Sequence, residues 1–221
     1  MYRQFSLLQH LTNLEFNGIF VMKRKVTGKK IVHFAIVLGF VALVGAGWKL
    51  TARSSYESAD YRVVESDGPF EVREYPNLKL VTTAMSSQSS DGSFGRLFRY
   101  ISGENDEDRK IAMTTPVFME PDGQDRDGQM GFVVPKGVSA EGIPDPFDET
   151  VRIQQRDGGR FAVIRFSGRM DASAVAEHEL KLRSWIVGKG LSGSDAVEFA
   201  GYDPPWTPNP YRRNEILIRL Q

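Results

Sequence analysis

The chain contains no cysteine. That absence removes disulfides, thiolate nucleophiles, cysteine-ligated zinc and iron–sulfur clusters together. Histidine is scarce, with three in 221 residues, and His178 alone lies beyond residue 33. Glu177 and Glu179 flank it but fall on different faces of a helix, so the trio is neither a zinc motif nor an acid/base pair. Although glycine is plentiful, no phosphate-cradling loop and no nucleophile elbow occur. An excess of either charge is missing too, since 28 basic groups balance 28 acidic ones. The balance is uneven along the chain, with seven basic groups and one acidic group in residues 1–50, against 21 basic and 27 acidic groups afterwards. A globular part of net negative charge has no electrostatic footprint for nucleic acid, whose binding rests on phosphate neutralisation.

One long stretch lacks Asp, Glu, Lys and Arg, the eighteen residues Ile31 to Trp48. As a helix it spans about 27 Å, close to the roughly 30 Å hydrocarbon core of a bilayer. Lys23, Arg24, Lys25, Lys29 and Lys30 precede it and favour a cytoplasmic N-terminus, with Trp48 at the far interface. The expectation is a membrane anchor at 31–48 that contacts the lipid bilayer and places the following domain on the non-cytoplasmic side, periplasmic in a bacterium. Two other readings stand: a cleavable signal peptide with Val44 and Ala46 before the cut, which would release an exported soluble form, and a buried helix of the domain. Met22 directly precedes the basic cluster, so a chain begun there would carry an ordinary targeting segment and residues 1–21 would be an artefact of start-site choice. The organisation is then a basic segment (1–30), a transmembrane or signal helix (31–48), a small and polar linker (49–59) and one domain (60–221).

Within the domain one plan is stated twice. Strand-like Phe70 to Tyr75 and Leu78 to Met85 lead to a helix from Ser93 to Ile101, then to strands near Ile111 to Met119 and Met130 to Val134. Val151 to Gln155 and Arg160 to Phe166 lead to a longer helix from Asp171 to Val187, then to strands near Val197 to Tyr202 and Glu215 to Leu220. The helices follow 3.6-residue periodicity, and the strands are β-branched and aromatic runs bounded by Gly, Pro and Asp. Strands dominate and two helices must cover what they leave exposed, so the expected fold is α+β, a duplicated unit curled into a distorted β-barrel with two outer helices.

Two strings stand out, Lys110-Ile-Ala-Met-Thr-Thr-Pro-Val117 and Ala200-Gly-Tyr-Asp-Pro-Pro-Trp206, the second followed by Arg212-Arg-Asn-Glu-Ile-Leu-Ile218. With Tyr61-Arg-Val-Val, Phe70-Glu-Val-Arg-Glu-Tyr75 and Tyr100-Ile-Ser-Gly103, they resemble the signature series of the SOUL, or haem-binding protein, family over residues 58 to 221. The resemblance implies a duplicated α+β unit forming a distorted barrel, and a non-catalytic domain that sequesters or transfers haem or a related tetrapyrrole. A similar fold occurs in the effector-binding domains of multidrug-responsive transcription regulators.

Candidate residues follow. Phe94, Leu97, Phe98 and Ile101 fall at i, i+3, i+4 and i+7 with Arg96 and Arg99 beside them, which suits either a core stripe or an apolar groove. The resemblance favours the groove, with Phe94 and Phe98 on the macrocycle and Arg99 on a propionate. Tyr202 to Trp206 is a stiff loop that either closes one end of the barrel or offers Tyr202 and Trp206 to a ligand. Arg212 and Arg213 serve a second propionate or a surface ion pair. Met113 is a core gap-filler or a soft iron ligand. His178 shares the inner face of the second helix with Val175, Leu182 and Trp185 and reads as a boundary histidine. Some relatives carry histidine just before the tyrosine of the first strand, where this chain has Glu74, so a tetrapyrrole would be gripped without a strong axial protein ligand. Asp122 to Gly128 misses the calcium-loop spacing and reads as a hairpin turn. Alternative functions are a module for another amphipathic small molecule, a protein-interaction domain at the membrane surface, and a hydrolase using Glu74 or Glu198.

Overall fold

A computed structural model describes residues 55–85, 92–122, 128–204 and 206–221. The expected membrane or signal helix, the basic segment before it and most of the linker lie outside the described residues. Among the described residues no helix is long and apolar enough to cross a membrane.

Strands β1 (Glu57–Ser58), β2 (Arg62–Asp67), β3 (Phe70–Tyr75) and β4 (Leu78–Ala84) precede helix α1 (Ser93–Ile101). Strands β5 (Thr114–Thr115), β6 (Val117–Glu120) and β7 (Gln129–Val133) follow, then the short helix α2 (Lys136–Glu141). The second half comprises β8 (Val151–Arg156), β9 (Gly159–Phe166), helix α3 (Ala172–Gly188), β10 (Gly193–Gly201), a 3-10 turn at Asn209–Tyr211 and β11 (Asn214–Leu220). Each long strand is a β-branched or aromatic run whose alternate residues can bury on opposite faces. Helix α3 starts at Asp171, whose side chain accepts a bond from the Ala174 amide at 3.1 Å and so satisfies one of the orphan donors of the first turn. Pro116, after a cis peptide bond, separates β5 from β6 where one continuous strand was expected.

Nine strands form one antiparallel sheet in the order β2-β3-β9-β11-β10-β6-β7-β4-β8, while β1 and β5 pair separately. Without β2 the order is palindromic: β3 answers β8, β9 answers β4, β11 answers β7 and β10 answers β6. The duplication expected from the sequence is therefore built into the strand order.

The expected barrel is not closed, because β2 and β8 remain sheet edges. The cause lies in two corners, Pro76-Asn77 and Asp157-Gly158. One register runs from Phe70↔Ile164 to Tyr75↔Gly159 and resumes beyond the corners from Leu78↔Arg156 to Thr83↔Val151. Two long strands thus lie antiparallel and bend together, which carries the chain from one end of the sheet to the other without a ladder joining the edges. The corners pack on each other: the Gly158 amide donates to Asn77 Oδ1 at 2.8 Å, and a Cβ at 158 would collide with the Tyr75 carbonyl.

Both long helices cover one face of the sheet. Leu97 and Ile101 of α1 and Leu182 and Ile186 of α3 pack there with Val81, Phe132, Ile164, Ile216 and Ile218. Burying one such side chain contributes about 1.5–3 kcal/mol. The opposite, helix-free face has its own buried cluster, including Tyr75, Leu80, Phe118, Phe161, Val163, Tyr202 and Leu217. Among the described residues there are three helices instead of two, since α2 also forms and buries Val138.

Candidate functional site

Helix α1 divides its apolar residues. Leu97 and Ile101 are buried against the sheet, whereas Phe94 and Phe98 are 39% and 50% exposed. The two rings stack with centroids 6.0 Å apart and planes 14° apart, and Phe94 also meets the edge of Phe132 at 5.2 Å. Residues i and i+4 adjoin on a helix, so the pair forms one flat apolar patch. Arg99 follows it, half exposed, with Nε 3.1 Å from Glu104 and Nη2 3.6 Å from Asp148. Phe147, beside Asp148, is 67% exposed; no sequence pattern marks it, since it lies in an irregular segment brought to α1 by the bond from Tyr100 Oη to the Pro144 carbonyl. Arg96 turns to the sheet, with Nε on Thr83 Oγ1 and Nη2 on the Ala84 carbonyl.

The proline-rich loop stands apart from this patch. Tyr202 is buried among the helix-free-face cluster and donates to Glu215 Oε2 at 3.0 Å. Trp206 is 68% exposed, and Arg212 donates from Nε to the Thr207 carbonyl at 2.8 Å. Arg213 donates to Glu215 at 2.6 and 2.8 Å and lies 4.0 Å over the Tyr202 ring. The structure therefore joins Phe94, Phe98 and Arg99 on α1, and roots Tyr202 on the other side of the sheet.

The remaining candidates are engaged elsewhere. His178 stacks on Phe166 at 4.1 Å with Nδ1 2.7 Å from the Ala174 carbonyl, and Met113 packs partly buried against the core. Glu74 pairs with Arg62 at the surface, and Glu198 accepts from Arg156 Nε at 2.8 Å, so neither sits beside a nucleophile. Strands β6 and β7 pair antiparallel around the Asp122 to Gly128 segment, of which 123–127 lie outside the described residues. Among the described residues no group of three or more His, Cys, Asp or Glu could hold a metal ion.

Sequence reasoning missed the polar content of the helix-free face. Arg73, 1% exposed, joins Glu71, Tyr75 and Glu215, while Arg156 and Glu198 form a second pair further along. Burial opposes ionisation of Glu215, but bonds and charge from Arg73, then Arg213, prevail and hold its carboxyl below the usual range. Burial pushes the hydroxyls of Tyr202 and Tyr75 up, the latter to about 12.

The model of the family described as SOUL heme-binding protein matches residues 56–219. The chain belongs to that family. Among SOUL relatives, Heme-binding protein 1 of Xenopus laevis is 32% identical over 163 residues, covering 69% of this chain and 84% of its own. Heme-binding protein 2 of Homo sapiens is 29% identical over 181 residues, covering 76% and 87%. The family fold extends to structures with little sequence in common. A hydrolase from Listeria innocua aligns with a TM-score of 0.50 at 9% identity over 72% of this chain and 94% of its own. The EcmrR–DNA complex aligns with a TM-score of 0.51 at 12% identity, over 87% of this chain and 68% of that one. At such identities these two speak to fold alone.

Proposed function

We propose that this SOUL domain binds haem or a related tetrapyrrole on the exposed surface of α1 and sequesters or transfers it without catalysis. The observation that carries the reading is the Phe94–Phe98 pair, two stacked phenylalanines left half-open to solvent on a helix whose inner side already supplies the core. An exposed aromatic platform is costly in water unless something flat and apolar covers it. Arg99 lies next to it and would exchange Glu104 and Asp148 for a propionate, a charge-assisted bond of the same kind. Phe147 would border the ring, while Trp206 and Arg212, on the separate proline-rich loop, would take no part. Membership of a haem-binding family supports the ligand class. The macrocycle would be gripped by its faces and propionates, for which these side chains suffice, and iron would add redox and axial chemistry when present.

The domain is further proposed to be tethered by residues 31–48 on the non-cytoplasmic side, supported by the basic cluster that precedes that stretch. Protease protection of sealed vesicles tests the orientation. The ligand is tested by titrating the full chain with ferric haem and with metal-free protoporphyrin. Saturable one-to-one binding of both, weakened by Phe98→Ala and Arg99→Glu, is expected. Weak, unsaturable uptake indifferent to either substitution would overturn the assignment.

A further inference from the structure

We infer that the helix-free face holds a second binding site, for a small polar molecule bearing a carboxylate, with Arg156 as its anchor. The site is a cleft of about 410 Å³ lined by Gln154, Arg156, Glu120, Gln129, Glu198 and Arg219 among others. It opens where the sheet fails to close. Strand β8 has β4 on one side and no strand on the other, and the cleft separates β8 from the β10–β11 hairpin, with β4, β6 and β7 beneath.

Arg156 is the feature that packing does not explain. Its side chain is 5% exposed, and its guanidinium lies 4.4 Å from the Phe161 ring centre, 4.5 Å from that of Phe118 and 5.0 Å from that of Tyr75. The rings stabilise the charge but accept few N–H bonds. Nε donates to Glu198 Oε2, and Nη2 approaches the same oxygen at 2.7 Å without the alignment of a bond. Neither Nη1 nor Nη2 has a hydrogen-bond acceptor. An arginine offers five donors, and leaving buried ones unmet costs free energy that an apolar side chain would not incur.

A second buried arginine on the same face shows the difference. Across the same face Arg73 is equally buried, yet Nε bonds Glu71, Nη1 bonds Tyr75 and Glu215, and Nη2 bonds Glu215. That half of the face is filled by Ala59 and Tyr61 of the entering chain. The half with Arg156 is open. Where this fold uses a buried arginine structurally it completes the bonds, and where it does not, a cleft stands beside the arginine.

The lining specifies the ligand. Arg219 stacks on the Phe161 ring at 4.5 Å, donates only to the Gly158 and Asp157 carbonyls and has no carboxylate partner among the described residues. Two guanidiniums thus lie by one ring, and among the described residues Glu198 is the only carboxylate in ion-pair contact with either. A ligand carboxylate in the cleft would find both in its wall. Gln129, Gln154 and Glu120 suit hydroxyl, amide or ammonium groups on the rest of a compact molecule, whereas a porphyrin would find little apolar wall here.

The test uses the full chain with isotope-labelled arginine, titrated separately with succinate, citrate and L-glutamate while the Arg156 side-chain N–H resonances are followed. Saturable one-to-one shifts with at least one acid, with affinity lowered about tenfold by Gln154→Glu, which sets a like charge in the wall, support the site. Gln154 is exposed, so that substitution should leave the fold intact. Phe98→Ala should leave these shifts unchanged, which separates this site from the one on α1. No saturable shift with any of the three up to about 10 mM, weaker than useful binding, overturns the proposal. So do shifts that sodium chloride reproduces at equal ionic strength, or shifts that Gln154→Glu leaves alone.

Discussion

Arg73 on β3 reaches across β9 to set Nη1 and Nη2 at 2.6 and 2.9 Å from the two carboxylate oxygens of Glu215 on β11. Arg213 and Tyr202 complete the shell of that carboxylate, and Tyr61 stacks beneath Arg73 at 4.3 Å. A buried ion pair contributes little net stability compared with a well-packed apolar pair, but halving it is severe.

Glu215→Gln should therefore destabilise the domain by about 3–5 kcal/mol, because it strands the buried Arg73 charge. Replacing both partners, Arg73→Met with Glu215→Leu, should cost less than the single change. Urea denaturation of the three variants checks this, and a single substitution costing under about 1 kcal/mol would contradict it.

Acid and alkali should each unfold the domain through this face. Glu215 has a folded pKa below its ordinary 4.5, so its contribution is present above that value and is lost as pH falls through the lower, folded one. Tyr75, raised from 10 to about 12 by burial against the opposing Arg73 charge, contributes fully below pH 10 and ceases to do so as pH climbs to about 12. Thermal melts across pH should show both limbs, and Tyr75→Phe should flatten the alkaline one.

On α1 neighbouring residues should separate stability from binding. Leu97→Ala, at a fully buried position, should cost about 2–5 kcal/mol. Phe98→Ala, at a half-exposed one, should cost under about 1 kcal/mol yet weaken tetrapyrrole uptake. Paired measurement of melting and haem titration decides, and equal losses of stability would mean that Phe98 belongs to the core.

At the corner, Gly158→Ala has no room, since its methyl would press on the backbone of Tyr75, Pro76 and Asn77. Overpacking of this kind costs about 1–3 kcal/mol. Asn77→Ala, which removes the acceptor for the Gly158 amide, should lower the melting temperature through the same contact.

The elements that a linear pattern specifies were legible: β3, β9 and β11 as β-branched runs, and α1 and α3 by periodicity, the latter with Asp171 as its cap. Strand β2 was invisible because all six of its residues are exposed and three are charged, so no alternation marks it. Helix α2 buries only Val138, too little for a pattern. The open sheet could not be foreseen, because closure depends on two corners whose bend is settled by contact between halves. On α1 the 3.6-residue stripe was visible, but its width left undecided that Leu97 would face the sheet and Phe98 the solvent. The two arginine–glutamate pairs were missed because charged residues in strands suggest a wetted face. The available clue was that Glu215 and Arg219 alternate with Leu217, which places all three on one side of β11.

The corners also dictate an order of events. Strand β3 pairs only with β2 and with β9, and β4 only with β7 and β8, so each half lends a bent strand that the other completes. A nascent chain that has emerged as far as α2 still carries β3 and β4 with one flank of backbone donors and acceptors unanswered. The domain cannot settle half at a time. It must hold its first half open until residues 151–166 arrive, and such non-local pairing is slow, so newly made chains are most exposed to wrong partners before those residues have emerged.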